Sequence, residues 1–286
     1  MRIGFLGYGE AARAFHDGLA RPGLSVIAYD RLLDAGDAEM RAAMLARGAV
    51  AATSVADLAD ADWIISAVTA DQSLLAVEPL LRHLRQGQVL IDINSVSPGR
   101  KRETAERVEA AGASYLDMAV MAPVHPRLHA TPVLLAGPAV ARLLPELQAL
   151  GFSAGIAGEA GGAATAIKMV RSLFVKGLEA ITVETLLAAR ASGCFEEILA
   201  SLSGTYPGLD WETFAGYQIE RTTRHGVRRA AEMRESAATL DALGLQGGLA
   251  REIAAVQERL GLTGVTADGP LEDTLSRVLY ARIKPN

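Results

Sequence analysis

Short apolar runs alternate with stretches of helical spacing through the first 156 residues. The runs fall at 3–6, 24–29, 63–68, 89–93, 115–118, 133–136 and 152–156. Between them, apolar positions recur every three or four residues near 9–20, 34–46, 71–84, 98–111 and 138–149. Buried strands alternating with amphipathic helices predict a doubly wound, mostly parallel sheet. The pattern then changes. From Gly158 to Ser192 no strand or turn signal intervenes, and Ala163, Ile167, Val170, Phe174, Leu178, Ile181, Val183, Leu186 and Leu187 are spread round the whole helical circumference. A helix that is apolar on all sides is expected to be buried. Residues 193–286 read as helices only, with breaks at Tyr206-Pro207-Gly208, Gly244, Gly247-Gly248 and Gly264. The expected organisation is a nucleotide-binding α/β domain over 1–157, a connecting helix over 158–192 and an all-helical domain over 193–286.

Composition narrows the classes of function. At 286 residues the chain can bury a full core. Its net charge of −5 leaves no global basic field for nucleic acid. Cys194 is the single cysteine, which rules out an intramolecular disulfide or a cysteine-clustered metal site and fits a reducing compartment. No apolar run reaches membrane-spanning length, and the first strand begins at once, which predicts no signal peptide. These features predict a cytoplasmic protein with no membrane or nucleic-acid partner and no bound metal.

The first chemical signal is the string Gly7-Tyr8-Gly9-Glu10-Ala11-Ala12, which follows an apolar run and opens a helix. In such a turn Gly7 permits the reversal, Gly9 lets the backbone approach a pyrophosphate and Ala12 allows close helix–strand packing. The free N–H groups of the helix start then face the phosphates. Asp30 stands 21 positions after Gly9, where a carboxylate accepts hydrogen bonds from the adenosine ribose. That acid favours NAD. Arg31 beside it can hold a 2′-phosphate and keeps NADP open. Val68 and Thr69, at the end of the 63–68 run, are expected to flank the cofactor, because ligands of such sheets lie outside the carboxyl ends of the strands.

The segment Asp92-Ile93-Asn94-Ser95-Val96-Ser97-Pro98 again ends a strand. Ser97 and Pro98 suit the cap and first position of the next helix, which leaves Asn94 and Ser95 for nicotinamide and substrate. Lys168 lies about ten residues into the apolar helix, where a charge needs a partner or a purpose. A lysine that snorkels to the surface, a structural Lys168–Glu179 pair and a catalytic lysine are all open on spacing alone, and Ser172 and Arg171 lie within one turn of it.

These residues resemble the β-hydroxyacid dehydrogenases, the group that contains 3-hydroxyisobutyrate and 6-phosphogluconate dehydrogenases. The resemblance covers the glycine turn, the Asp-x-Asn-Ser-x-Ser-Pro segment and Gly162 six residues before Lys168. It implies a Rossmann-type α/β domain joined by a long central helix to an all-α domain. It also implies that Lys168 is the general acid/base at the carbinol oxygen and that Ser95 helps to bind substrate. Two departures stand out. The family's Asp-x-Pro-Val-Ser-Gly-Gly loop reads Asp117-Met118-Ala119-Val120-Met121-Ala122-Pro123, and the asparagine four residues after the lysine is Ser172. Substrate recognition is therefore expected to differ, with Met121 in the altered loop and His125, Arg127 and His129 just beyond it. Along the last domain Arg221, His225, Arg228, Glu232 and Glu235 share one helix face. They read either as a solvated face with an Arg228–Glu232 pair or, with Arg171, as an anion site. The string HGVRRAAEM also resembles one branch of this family. The expectation is an NAD-dependent dehydrogenase of a small anionic hydroxy acid, working as a homodimer in which each second domain packs on the partner. An imine reductase-like enzyme, which usually carries Asp or Tyr in place of the lysine, and a non-catalytic cofactor sensor are the alternatives.

Overall fold

The computed structural model describes residues 1–283, so the last three residues of the expected 193–286 segment lie outside it. The chain forms two compact units, Met1–Lys168 and Met169–Asn286. In the first, β1 (Arg2–Leu6), α1 (Glu10–Leu19), β2 (Ser25–Tyr29), α2 (Ala38–Leu45), β3 (Val50–Ala51), β4 (Trp63–Ser66), α3 (Ser73–Leu81) and β5 (Val89–Asp92) follow one another. Then come α4 (Pro98–Ala110), β6 (Ser114–Val120), β7 (Val133–Ala136), α5 (Val140–Ala149) and β8 (Ala154–Gly158). The eight strands lie in the order β3-β2-β1-β4-β5-β6-β7-β8, and every pair is parallel except β6 with β7.

Alternation along the strands builds two cores, one on each side of the sheet. Ile3, Phe5, Ile65, Ile91 and Leu116 face Ala12, Phe15 and Leu19 of α1, Met44 of α2 and Leu143 and Leu147 of α5. Leu6, Ile64, Leu90 and Tyr115 face Val77 and Leu80 of α3 and Val108 of α4. The order reverses between β1 and β4, and that reversal opens the crevice where ligands of such sheets bind.

The helix α6 (Ala163–Ser192) begins in the first unit and continues into the second. It starts at Ala163 and not at Gly158, because 154–158 is taken up by β8. Its circumference is not buried throughout, contrary to the sequence pattern. Ala164, Met169, Ala180, Val183, Leu186 and Leu187 are covered, while Ile167, Val170, Phe174 and Ile181 form an exposed stripe, with Phe174 at 73% of full exposure. The remaining helices are α7 (Phe195–Thr205), α8 (Trp211–Ala242), α9 (Gly248–Gly261) and α10 (Leu271–Ile283). They end at the breaks expected from Pro and Gly. Backbone packs on backbone between α8 and α9: a Cβ on Gly226 would lie 2.1 Å from the Gln257 carbonyl oxygen, and one on Gly261 would lie 2.6 Å from the Val227 nitrogen.

Candidate active site

The turn between β1 and α1 is built for a phosphate. Gly7 adopts φ +85°, and a Cβ there would lie 2.5 Å from the Ala67 carbonyl oxygen at the end of β4. Only glycine fits that approach. Gly9 has the opposite surroundings, with nothing within 4 Å of where its Cβ would be. It is the N-cap of α1 and supplies no side-chain cap, so the first-turn N–H groups remain open to an anion. The Asp30 carboxylate accepts from the Tyr8 N–H at 2.8 Å and from the Leu32 N–H at 3.1 Å, one bond per oxygen. Each oxygen keeps a lone pair for a ribose hydroxyl. The open helix start, the bare Gly9 and the acid beyond them fit a dinucleotide. Arg31 is exposed, and its charge helps to hold the Asp71 carboxyl below its ordinary range, after the Thr69 and Gln72 side-chain bonds.

Two residues expected to touch ligands do other work. Tyr8 is fully buried and its hydroxyl lies 2.5 Å from His16 Nδ1, so its side chain points into the core and only its backbone remains in the turn. Burial pushes this phenol up to about 12. Asn94 is likewise buried and engaged at both ends: its Oδ1 accepts from the Val68 N–H at 2.7 Å and its Nδ2 donates to Ser66 Oγ at 2.9 Å. It ties the end of β4 to the segment after β5.

Ser95 and Lys168 meet inside the first unit. Lys168 Nζ donates to Ser95 Oγ at 2.6 Å, and both side chains are half-buried and open to solvent. Three features set this spacing. Asp117 on β6 accepts from the Thr165 N–H at 3.0 Å, capping the first turn of α6 from outside the helix, while Thr165 Oγ1 donates to the Val96 carbonyl at 3.0 Å. Gly162 sits at φ +89°, where a Cβ would lie 2.7 Å from the Pro98 carbonyl oxygen, so the start of α6 rests directly on the start of α4. Beneath them lies a cluster that is not legible in the sequence. Lys101, wholly buried, donates to the Asp92 carbonyl at 2.6 Å and pairs with the Asp92 carboxylate at 2.9 Å and with Asp117 at 3.3 Å. The Tyr115 hydroxyl donates to Asp92 at 2.8 Å. Burial raises the Asp117 carboxyl, against the lowering pull of Lys101 and the Thr165 N–H. Lys101 lies on a strongly polar helix, and its inward turn is visible only once Asp92 and Asp117 stand on neighbouring strands.

The loop after β6 is also redistributed. Met121 is half-buried against the cluster of Ala119, Ala136 and Ala164, the last of these in the first turn of α6. His129 is no cation for a substrate: it is packed against Phe152, Nε2 bonds to the Leu150 carbonyl at 3.1 Å, and burial lowers its pKa. His125 remains exposed and lines a groove of about 360 Å³ with Gly9, Glu10, Arg13, Asp17 and Arg47.

In the second unit, Glu179 pairs with Arg229 and accepts from Gln257 Nε2 at 2.9 Å, so it is no partner for Lys168. Arg228 donates to Glu232 at 2.6 Å, as the helical spacing predicted, and the other Glu232 oxygen takes Lys176 at 2.8 Å. His225 is half-buried, and burial followed by Arg221, Arg228 and Arg224 lowers its pKa. Arg171 is exposed. Among the described residues no His, Cys, Asp and Glu group could hold a metal ion, and no helix is long and apolar enough to cross a membrane.

A strand, a two-glycine turn, an open helix start and an acid after the second strand define a dinucleotide-binding domain of the Rossmann type. Comparison with known proteins gives the family. Residues 2–158 match the NAD binding domain of 6-phosphogluconate dehydrogenase, and residues 189–260 match a domain of unknown function, DUF1932. A conserved hypothetical protein from Sinorhizobium meliloti 1021 has 32% sequence identity and a TM-score of 0.78, over 98% of this chain and 96% of that one. Rat mitochondrial 3-hydroxyisobutyrate dehydrogenase is 30% identical over 123 residues, which is 41% of this chain and 35% of that enzyme. The 2-(hydroxymethyl)glutarate dehydrogenase of Eubacterium barkeri is 26% identical over 74% of this chain and 71% of its own. The chain belongs to the β-hydroxyacid dehydrogenase family, the NAD-binding relatives of 6-phosphogluconate and 3-hydroxyisobutyrate dehydrogenases.

Proposed function

We propose that this protein is an NAD-dependent dehydrogenase of a small anionic hydroxy acid. The observation that carries the reading is the 2.6 Å bond between Lys168 Nζ and Ser95 Oγ, on a half-buried, solvent-open face of the nucleotide-binding unit. When bound, the nicotinamide supplies the acceptor for a hydride from the carbinol carbon. The chain supplies the proton chemistry. In the oxidising direction the neutral Lys168 amine takes the carbinol proton while Ser95 holds the same oxygen, and the ammonium then releases that proton to water. In reduction Lys168 gives the proton back. Asn94 acts at one remove by fixing Val68 beside the cofactor, together with Thr69. Gly7, Gly9, Glu10 and Ala11 carry the pyrophosphate through the backbone. Asp30 takes the ribose hydroxyls and repels a 2′-phosphate, which supports NAD over NADP. Arg171, His225 and Arg228 are assigned to the anionic group of the substrate, and Ser172 is assigned to assist Ser95 at the substrate oxygen. We further propose that residues 193–286 serve substrate selection and self-association, and that the protein works as a homodimer.

The test is oxidation of 3-hydroxyisobutyrate, 2-(hydroxymethyl)glutarate and a panel of other small hydroxy acids, with NAD⁺ and NADP⁺ in parallel. Lys168→Ala is expected to lower kcat by about 10²- to 10⁴-fold, the usual worth of a general acid/base, while the dissociation constant for NADH stays within about threefold. Turnover retained in Lys168→Ala would refute the assignment.

A further inference from the structure

Lys101 puts a charge where lysine is rarely found. It is wholly buried, one turn into α4, and lysines are almost never so unless paired. Its ammonium meets the Asp92 carboxylate at 2.9 Å and the Asp117 carboxylate at 3.3 Å. Each of those acids has a second duty. Asp92 Oδ1 also accepts from the Asn94 N–H at 2.9 Å, one residue before Ser95. Asp117 Oδ2 accepts from the Thr165 N–H at 3.0 Å, one turn of α6 before Lys168. A single ammonium thus joins two carboxylates, and each carboxylate holds the backbone beside one member of the Ser95–Lys168 pair. All of these residues lie in the first unit.

Cohesion alone does not explain the arrangement. Two carboxylates and one ammonium formally carry one excess negative charge, and a buried ion pair adds little stability over apolar residues of the same size. The carboxylate at 117 is needed for another reason, since both of its neighbours donate. Oδ2 serves the Thr165 N–H, while Oδ1 makes no hydrogen bond among the described residues and has Lys101 as its ion-pair partner. An amide there would offer one oxygen only, enough for the helix cap or for Lys101 but not for both.

We infer that Lys101 is a positioning residue: by bridging Asp92 and Asp117 it fixes the distance between Ser95 and Lys168, and with it the aim of the amine at the substrate oxygen. The inference rests on the function proposed above.

Lys101→Met with Asp117→Asn removes the bridge and little else. The amide oxygen can still cap Thr165, Asp92 keeps the Asn94 N–H and the Tyr115 hydroxyl, and Thr165 Oγ1 keeps the Val96 carbonyl. The formal charge of the cluster is unchanged. In the full-length protein, with whichever acid of the panel the wild type oxidises, kcat is expected to fall by about 10- to 100-fold, the cost of a misplacement of about 1 Å. The dissociation constant for NADH should stay within about threefold. In a Lys168→Ala background the same two substitutions should cost nothing more, whereas a general loosening of the fold would lower the residual rate again and weaken NADH binding. A normal kcat, or an equal loss in the Lys168→Ala background, would overturn the inference. Should the double variant not fold, Asp117→Asn alone, which leaves a neutral Lys101–Asp92 pair, is read by the same criteria. Crystal structures of wild type and variant decide the point without turnover. Lys168 Nζ and Ser95 Oγ should lie more than about 3.5 Å apart in the variant, and a bond kept at the wild-type length would refute the inference. If the wild type oxidises no acid in the panel, the functional reading fails, while this distance still decides whether Lys101 sets the pair.

Discussion

His129 occupies space that two glycines leave open. A Cβ on Gly18 would lie 2.0 Å from its Nδ1, and one on Gly151 would lie 2.9 Å from its Nε2. Since Nε2 must donate to the Leu150 carbonyl, Nδ1 is left as a bare nitrogen, buried and without a partner among the described residues. Protonating it would place an N–H where nothing accepts. Burial lowers the pKa of His129 and of His16, and so the unfolded chain binds protons that the folded chain refuses. The stabilisation is complete above the unfolded value of about 6.5 and is lost as pH falls below it. Thermal melts should thus be level above about pH 7 and drop from about pH 6.5 downward, and His129→Gln should flatten that slope. A slope unchanged by this substitution would reject the assignment. Asp30 gives a second prediction at this scale. Asp30→Ala should raise the ratio of kcat/KM with NADP⁺ to that with NAD⁺ by about tenfold or more, the size of removing one close like charge. The sequence exposed Asp30, Ser95 and Lys168 because each stands beside a motif. It misread His129, whose glycine partners lie far along the chain, and it passed over Lys101 and Lys176, whose partners stand on other elements.

Helices and strands were legible where their period was long and clean. The two-residue β3 carries no period, and its place comes from backbone pairing with β2. The start of α6 was read five residues early, because an apolar Gly and Ala run looks alike in a strand and a helix. Its true start depends on Gly162. Replacing Gly162 by Ala forces a left-handed residue and a backbone clash with Pro98, and should cost about 1–3 kcal/mol. Because the same contact spaces Lys168 from Ser95, kcat should fall with stability, and a variant that melts lower yet turns over normally would separate the two. The α8–α9 seam offers a contrast. Gly226→Ala should destabilise the second unit by about 3 kcal/mol or more, in the range of severe overpacking, and leave NADH binding by the first unit intact. Calorimetry and NADH titration read these separately.

For the whole chain, Ile167, Val170, Phe174 and Ile181 leave a row of large apolar side chains exposed along one helix, the kind of surface that two copies of a chain can cover. The sequence showed that this helix needs covering on every side but not by what. Sedimentation should show a species near twice 30.0 kDa, and Phe174→Asp should shift it toward the monomer. A wild-type monomer at micromolar concentration would refute the homodimer. The boundary between the two units falls within α6, between Lys168 and Met169, with no loop there to absorb a mismatch. Anyone exchanging the second unit for that of a relative must therefore splice a helix in register. A single inserted residue at that seam would turn the later residues of α6 about its own axis by about 100° and advance them by about 1.5 Å, so every side chain of the helix beyond Lys168 would change face.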